Sequence, residues 1–134
     1  MGSFFVIDES QASAFAAKFF PHLGMEAIRI TTKLSPKILV VAPHKRLSWQ
    51  FHHRRVEIWK ILSGVVGVKT SFTDEEGALQ KLAPDSFIQL DKGDRHRLIG
   101  LDSWGIVAEI WQHTDSENPS DEEDIVRLQD DFGR

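Results

Sequence analysis

The chain contains no cysteine in its 134 residues, which excludes a disulfide framework and any thiolate-held metal. A reducing compartment is compatible with that absence. No apolar run approaches the roughly 20 residues of a membrane span, and no basic-then-apolar leader opens the chain. Met1-Gly2-Ser3 starts like a myristoylation signal, but Val6 stands where that signal needs Ser or Thr. An excess of basic residues is also missing: the net charge is −4, which argues against a nucleic-acid partner. No internal repeat has a solenoid or propeller period. What is present is an ordinary apolar fraction, 41%, on a chain long enough for one core and too short for two. The expectation is a soluble, cytoplasmic chain with neither a membrane nor a nucleic acid as partner.

Periodicity divides the chain. Phe4 to Ile7 is apolar and can add an edge strand. Asp8 or Ser10 can cap a helix over about 11–20, where Ala12, Phe15, Ala16 and Phe19 recur at helical spacing before Pro21 and Gly24 end it. From residue 26 the period becomes that of strands, over 26–33, 37–42, 47–52, 56–62, 65–72, 78–82, 86–90, 95–99 and 104–112, with Gly, Pro and Asp turns between them. So many short strands at regular spacing predict an all-β sandwich or small barrel. Three regions are expected: 1–25 as an N-terminal strand and helix, 26–113 as the barrel, and 114–134 as an acidic tail. Within that tail, the patch at 124–128 can dock back on the barrel.

Residues 47–64 carry the most chemistry. Gln50 and His52 lie two apart, so on a strand both side chains share a face. Glu57 follows on the next strand, and His96 in Lys92-Gly93-Asp94-Arg95-His96-Arg97 is a candidate fourth donor. An amide oxygen, two imidazoles and a carboxylate suit Zn²⁺, with Mn²⁺, Fe²⁺, Co²⁺ and Ni²⁺ as alternatives. Glutamine is an unusual ligand, so spacing alone points to Gln50 least. The same residues could instead be ordinary polar positions of a half-buried sheet. Glu109 lies on the last strand, on one face with Trp111, and could project into the barrel as a site carboxylate. His53 and Arg97 fall on the opposite parity from His52 and His96, which predicts surface positions. His22, His44 and His113 lie near element ends, where a solvated histidine is ordinary. The acids of 115–124 read as a solvated stretch.

Glu57 followed by Gly64, then Gly93 and His96, looks like the two-part motif of the cupin superfamily. More narrowly, Leu47-Ser48-Trp49-Gln50-Phe51-His52-His53 and Arg55-Val56-Glu57-Ile58-Trp59 resemble the cupin domain of type II phosphomannose isomerases. That family carries L-S-x-Q-x-H-H-H-R-x-E-H-W at this point. Gly93-Asp94-Arg95-His96-Arg97 is similar to its G-x-x-H-R. Glu122 to Leu128, with Asp130 and Phe132-Gly133-Arg134, resembles its closing block. The resemblance implies a single cupin barrel, jelly-roll-like, with a short N-terminal helix and the acidic tail. It also implies Gln50, His52, Glu57 and His96 as ligands of one divalent metal, Zn²⁺ first.

The activity implied is aldose–ketose isomerisation of mannose 6-phosphate and fructose 6-phosphate or a close relative. That reaction needs a base, an electrophile for the developing oxyanion and an anchor for phosphate. Arg55 matches a family arginine and is the candidate for oxyanion or phosphate contact, although a surface strand-end cation would look the same in sequence. Arg127 matches the tail arginine and is a candidate phosphate ligand, with a salt bridge to neighbouring acids as the alternative. Trp59 matches a family tryptophan and is a candidate cavity wall. Glu109 is the candidate base. Several positions depart from the family pattern. Arg54 replaces the third histidine, Ile58 the histidine before tryptophan, and Asp91 a proline, while Gly100 falls near a frequent asparagine. The opening R-P-W-G is reduced to Phe20-Pro21-His22-Leu23-Gly24. Many type II enzymes also carry a nucleotidyltransferase half; these 134 residues carry no stretch resembling it, and sugar-nucleotide synthesis is not expected of them. A non-catalytic cupin that binds a sugar or other small ligand, and a metal-dependent oxygenase, are the rival expectations. A homodimer is expected by analogy with other cupins.

Overall fold

The computed structural model of the chain describes residues 2–23, 34–113, 117–118, 120–121 and 123–129. Ten strands carry the architecture: β1 (Gly2–Val6), β2 (Lys37–Val41), β3 (Trp49–Phe51), β4 (Arg55–Ser63), β5 (Val66–Ser71), β6 (Leu79–Leu82), β7 (Phe87–Leu90), β8 (Arg95–Gly100), β9 (Gly105–His113) and β10 (Val126–Gln129). They make two five-stranded sheets in the orders β1-β2-β9-β4-β7 and β10-β3-β8-β5-β6. Every pairing is antiparallel. The strand expected over 26–33 lies outside the described residues. Among those described, no helix is long and apolar enough to cross a membrane.

The single α-helix among the described residues, α1 (Ala12–Phe19), follows a 3-10 turn at Glu9–Gln11. Asp8 caps that turn, accepting the Ser10 N–H at 3.1 Å. The α-helix itself begins later than the sequence periodicity suggests, and Gln11 gives it no side-chain cap. Glu9 fastens this segment to the approach of β2, accepting the N–H groups of Leu34 at 2.9 Å and Ser35 at 2.8 Å.

Two apolar clusters lie on opposite faces of the first sheet. Between the sheets, Leu39, Val41, Trp59, Ile61, Val66, Val68, Leu90, Leu98 and Val107 form the inner core. On the outer face, Ile58, Ala108 and Ile110 pack under Ala12, Phe15, Ala16 and Phe20. Strands β4 and β9 are therefore covered on both sides, which is why they read as nearly continuous apolar runs rather than alternating ones. Alternation still sets direction: Glu57, Trp59 and Ile61 face the interior on β4, and Val107, Glu109 and Trp111 on β9.

Two glycines are required where they stand. Gly64 turns β4 into β5 with φ +76°, and a Cβ there would lie 2.2 Å from the Trp104 carbonyl oxygen. Gly100, near the position where the resembling family has asparagine, would place a Cβ 1.9 Å from the Ala42 carbonyl oxygen.

Several polar residues sit elsewhere than their local sequence suggests. His113 is buried rather than solvated, because residues after β9 return over it and the Ser120 N–H donates to its Nδ1 at 2.9 Å. Arg97 does face away from His96, yet it is fully buried. Its guanidinium donates to the Leu47 carbonyl, Glu76 and Gln129, at 2.8, 2.8 and 3.2 Å. Asp124, placed by composition in a solvated acidic stretch, is also buried. The patch expected to dock at 124–128 becomes, in part, a strand: β10 pairs with β3, Val126 opposite Phe51 and Arg127 opposite Gln50.

Candidate metal centre

Strand pairing assembles the polar residues. Gln50 on β3 and His96 on β8 are directly opposite partners in one sheet. Across the interior, Glu57 and Trp59 on β4 pair with Trp111 and Glu109 on β9. His52 lies just after β3, and its carbonyl accepts the Gly93 N–H at 2.9 Å, which ties the His52 segment to the turn before His96.

The side chains converge. His52 Nε2 lies 2.9 Å from Glu57 Oε2, and His96 Nε2 lies 3.5 Å from Glu57 Oε1. One donor atom from each of the three residues falls within 4.8 Å of the others, and all three residues are buried. Gln50 reaches the same group with its amide nitrogen, 3.4 Å from His96 Nε2, while its oxygen accepts a short hydrogen bond from Ser48 Oγ. A 180° turn of the amide exchanges nitrogen for oxygen.

The arrangement fits a divalent cation on its own chemistry. His52 Nδ1 lies 2.6 Å from the Asp124 carbonyl oxygen and His96 Nδ1 3.3 Å from that of Asp94. A carbonyl can only accept, so each ring carries its proton on Nδ1 and turns Nε2 toward Glu57. Burial pushes the His96 imidazole down to about 4, against the pull of Glu57. That keeps it neutral, as a metal ligand must be. Burial alone would raise Glu57, but His52 whenever its ring is protonated, together with the permanent charge of Arg55, outweighs it and holds the carboxylate well below its ordinary range.

Arg55 is buried rather than a surface cation. Its Nη2 lies 2.8 Å from Glu57 Oε2 and 3.2 Å from His52 Nε2. Its Nη1 donates to Ser120 Oγ and the Asp121 carbonyl at 3.1 and 3.0 Å. The guanidinium stacks 3.6 Å from the Trp111 ring centroid. Trp59 is buried, and its indole N–H points at two carboxyls, Glu109 Oε1 at 2.8 Å and Glu57 Oε1 at 3.2 Å. The Trp111 N–H donates to Glu109 Oε2 at 3.1 Å. Burial, then the charge of Glu57 and a hydrogen bond with it, push Glu109 well above the usual range, while Arg55 and Lys37 pull the other way. Of two neighbouring buried carboxyls, the surroundings drive one pKa down and the other up.

These groups border a cavity of about 320 Å³, whose wall includes Gln50, Glu57, Trp59, His96, Glu109 and three cations, Lys37, Arg55 and Arg127. Arg127 is the exposed one of the three. Sequence reasoning overlooked Lys37. It begins the apolar run of β2 with the parity of Leu39 and Val41, and that parity was the available signal. In the structure it is buried, with Nζ 4.3 Å from the Trp111 ring centroid and 4.8 Å from that of Phe4. The two departures from the histidine pattern lie off the cavity: Arg54 reaches Asn118 and Asp121, and Ile58 packs under α1.

Two antiparallel sheets enclosing such a site define a cupin barrel. The chain is similar to the cupin domain of Drosophila melanogaster CENP-C, with a TM-score of 0.51 at 18% identity over 57% of this chain and 59% of that one. It is similar to recombinant oxalate oxidase in complex with glycolate, with a TM-score of 0.62 at 13% identity over 95% and 55%. It is also similar to the DMSP lyase DddQ from Ruegeria pomeroyi DSS-3, with a TM-score of 0.53 at 15% identity over 68% and 44%. The chain thus spans about half the length of each of these proteins, and at such identities the likeness is one of fold. Residues 8–130 match the family model described as mannose-6-phosphate isomerase C-terminal. The chain belongs to that family. A search of curated proteins finds no match.

Proposed function

We propose that this chain is a metal-dependent isomerase interconverting an aldose phosphate and a ketose phosphate, with mannose 6-phosphate and fructose 6-phosphate the pair to test. One observation carries the reading. A single cavity wall presents metal-donor side chains, a second carboxyl whose pKa burial and the charge of Glu57 raise, and three cations. Family membership supports it.

Gln50, His52, Glu57 and His96 would hold the ion, Zn²⁺ first, with Mn²⁺, Fe²⁺, Co²⁺ or Ni²⁺ as alternatives. When bound it supplies Lewis-acid stabilisation of negative charge on substrate oxygen. The chain's own residues supply the rest. Glu109 moves the proton between adjacent carbons, and its raised pKa makes it a stronger base whenever it is ionised. The Trp59 and Trp111 indoles fix the two Glu109 oxygens, which keeps that transfer directional. Arg55, locked against Trp111, faces the reacting end and steadies the oxyanion. Arg127, at the exposed part of the wall, takes the phosphate, with Lys37 adding to the positive field.

A coupled assay with mannose 6-phosphate and the Zn²⁺- or Mn²⁺-loaded protein tests this. Turnover supports the isomerase, and silence overturns it. Sugar binding without turnover would point to a binding module, and oxygen uptake with Fe²⁺ to an oxygenase.

Pairing of two copies is part of the same proposal. Among the described residues β1 has a strand neighbour on one side only, and Phe4, Phe5 and Val6 on it are 50, 57 and 65% exposed. Phe5→Glu is expected to turn a dimer into a monomer in sedimentation velocity, and a wild-type monomer would sink the idea.

A further inference from the structure

Upstream of β10, the contacts of the C-terminal segment concentrate on one place. Asp124 lies 72 positions after His52. It bonds to three successive residues between β3 and β4. Its carbonyl accepts from His52 Nδ1 at 2.6 Å, and its carboxylate accepts the N–H groups of His53 and Arg54, each at 2.9 Å. Ser120 Oγ donates to the same carboxylate at 2.6 Å and accepts from Arg55 Nη1 at 3.1 Å. The Ser120 N–H in turn donates to His113 Nδ1 at 2.9 Å, and His113 is the strand partner of Arg55. Asp124, Ser120 and His113 are all buried, so water does not compete for these bonds.

We propose that Asp124 is a positioning residue for the candidate metal centre, its buried carboxylate clamping the segment whose carbonyl holds His52 with Nε2 turned to Glu57, so that docking of Ser120 and Asp124 sets the affinity for a divalent ion. The proposal rests on the metal reading above. The carboxylate is the point of leverage, because the main-chain carbonyl cannot be deleted by substitution but can be set adrift. Once it drifts, either His52 nitrogen can carry the proton and the ring can rotate. Only the fraction still presenting a bare Nε2 binds metal, and the apparent affinity falls by that fraction. Outer hydrogen-bond partners of metal-ligating histidines are typically worth about 10- to 100-fold in affinity.

The test is Co²⁺ binding to the full chain, read by competition with a chromophoric chelator and by the ligand-field spectrum. Asp124→Ala is expected to weaken Co²⁺ binding by about 10- to 100-fold and to alter the spectrum. Asp124→Asn, which keeps one acceptor oxygen, falls between it and wild type, and carries the test if Asp124→Ala does not fold. Phe15→Leu, on the buried face of α1 and away from the cavity, lowers the melting temperature without changing Co²⁺ affinity. Long-range ¹H–¹⁵N spectra of the metal-free chain are expected to place the His52 proton on Nδ1 in wild type and to show a mixture in the Asp124 variants. Unchanged Co²⁺ affinity in a folded Asp124 variant overturns the proposal, as does an equal loss in Phe15→Leu. A wild-type chain that binds no Co²⁺, but whose His52 tautomer still shifts in Asp124→Ala, overturns the metal reading and leaves the clamp standing.

Discussion

Glu57 and Glu109 are both buried and both receive the Trp59 indole N–H, yet they are driven in opposite directions. The difference is in the company: His52 and Arg55 lie against Glu57, whereas the charge on Glu57 itself confronts Glu109. If Glu109 moves the proton, Glu109→Gln is expected to lower kcat by about 100-fold or more in the coupled assay, with Zn²⁺ affinity unchanged. Asp124 gives a second prediction at this scale. Burial pushes its carboxyl up, but hydrogen bonds from Ser120, His53 and Arg54, with the Arg54 charge, outweigh it and hold the group below 3.8. A folded-state value below the unfolded one means that the ionised group stabilises the fold above the unfolded value, and that this stabilisation is lost as pH falls through the folded value. The melting-temperature gap between wild type and Asp124→Asn is therefore expected to be steady from about pH 7 to about pH 5. It should close as the pH drops below 3.8. A gap that widens in acid would contradict the account.

At the scale of elements, the outer face of β4 and β9 depends on α1. Phe15 is buried there, edge-on to Phe19 at 4.9 Å between ring centroids. Phe15→Ala is expected to cost about 3–5 kcal/mol in urea unfolding, without altering substrate affinity, because the helix lies on the far side of the sheet from the cavity. Nine of the ten strands and the helix were legible in the sequence because apolar runs, alternation and turn residues are local signals. Strand β10 was not: Val126-Arg127-Leu128-Gln129 is short, follows an acidic stretch, and becomes a strand only because β3 offers it an edge. The same edge explains the buried Arg97, whose partners Glu76 and Gln129 come from the β5–β6 connection and from β10.

For the whole molecule, an ion held at the candidate centre would couple the two sheets, since Gln50 and His96 belong to one and Glu57 to the other. Zn²⁺ at 100 times its Kd is expected to raise stability by about 2.7 kcal/mol. Glu57→Gln should abolish that gain in a thermal melt, and a Zn²⁺ shift that survives the substitution would place the ion elsewhere. Local sequence was enough to determine a barrel of short strands, a centre with no thiolate, and the shared parity that aims Gln50 and His52 to one side. These follow from side-chain chemistry and a period of two, which are written along the chain itself. Only the tertiary structure decided that Lys37 and Glu109 border the same cavity, that Arg54 and Ile58 lie away from it, and that Asp124 is buried behind His52. Burial and the pKa of a polar group depend on which distant segments close over it, and no local pattern in those segments says where they will dock.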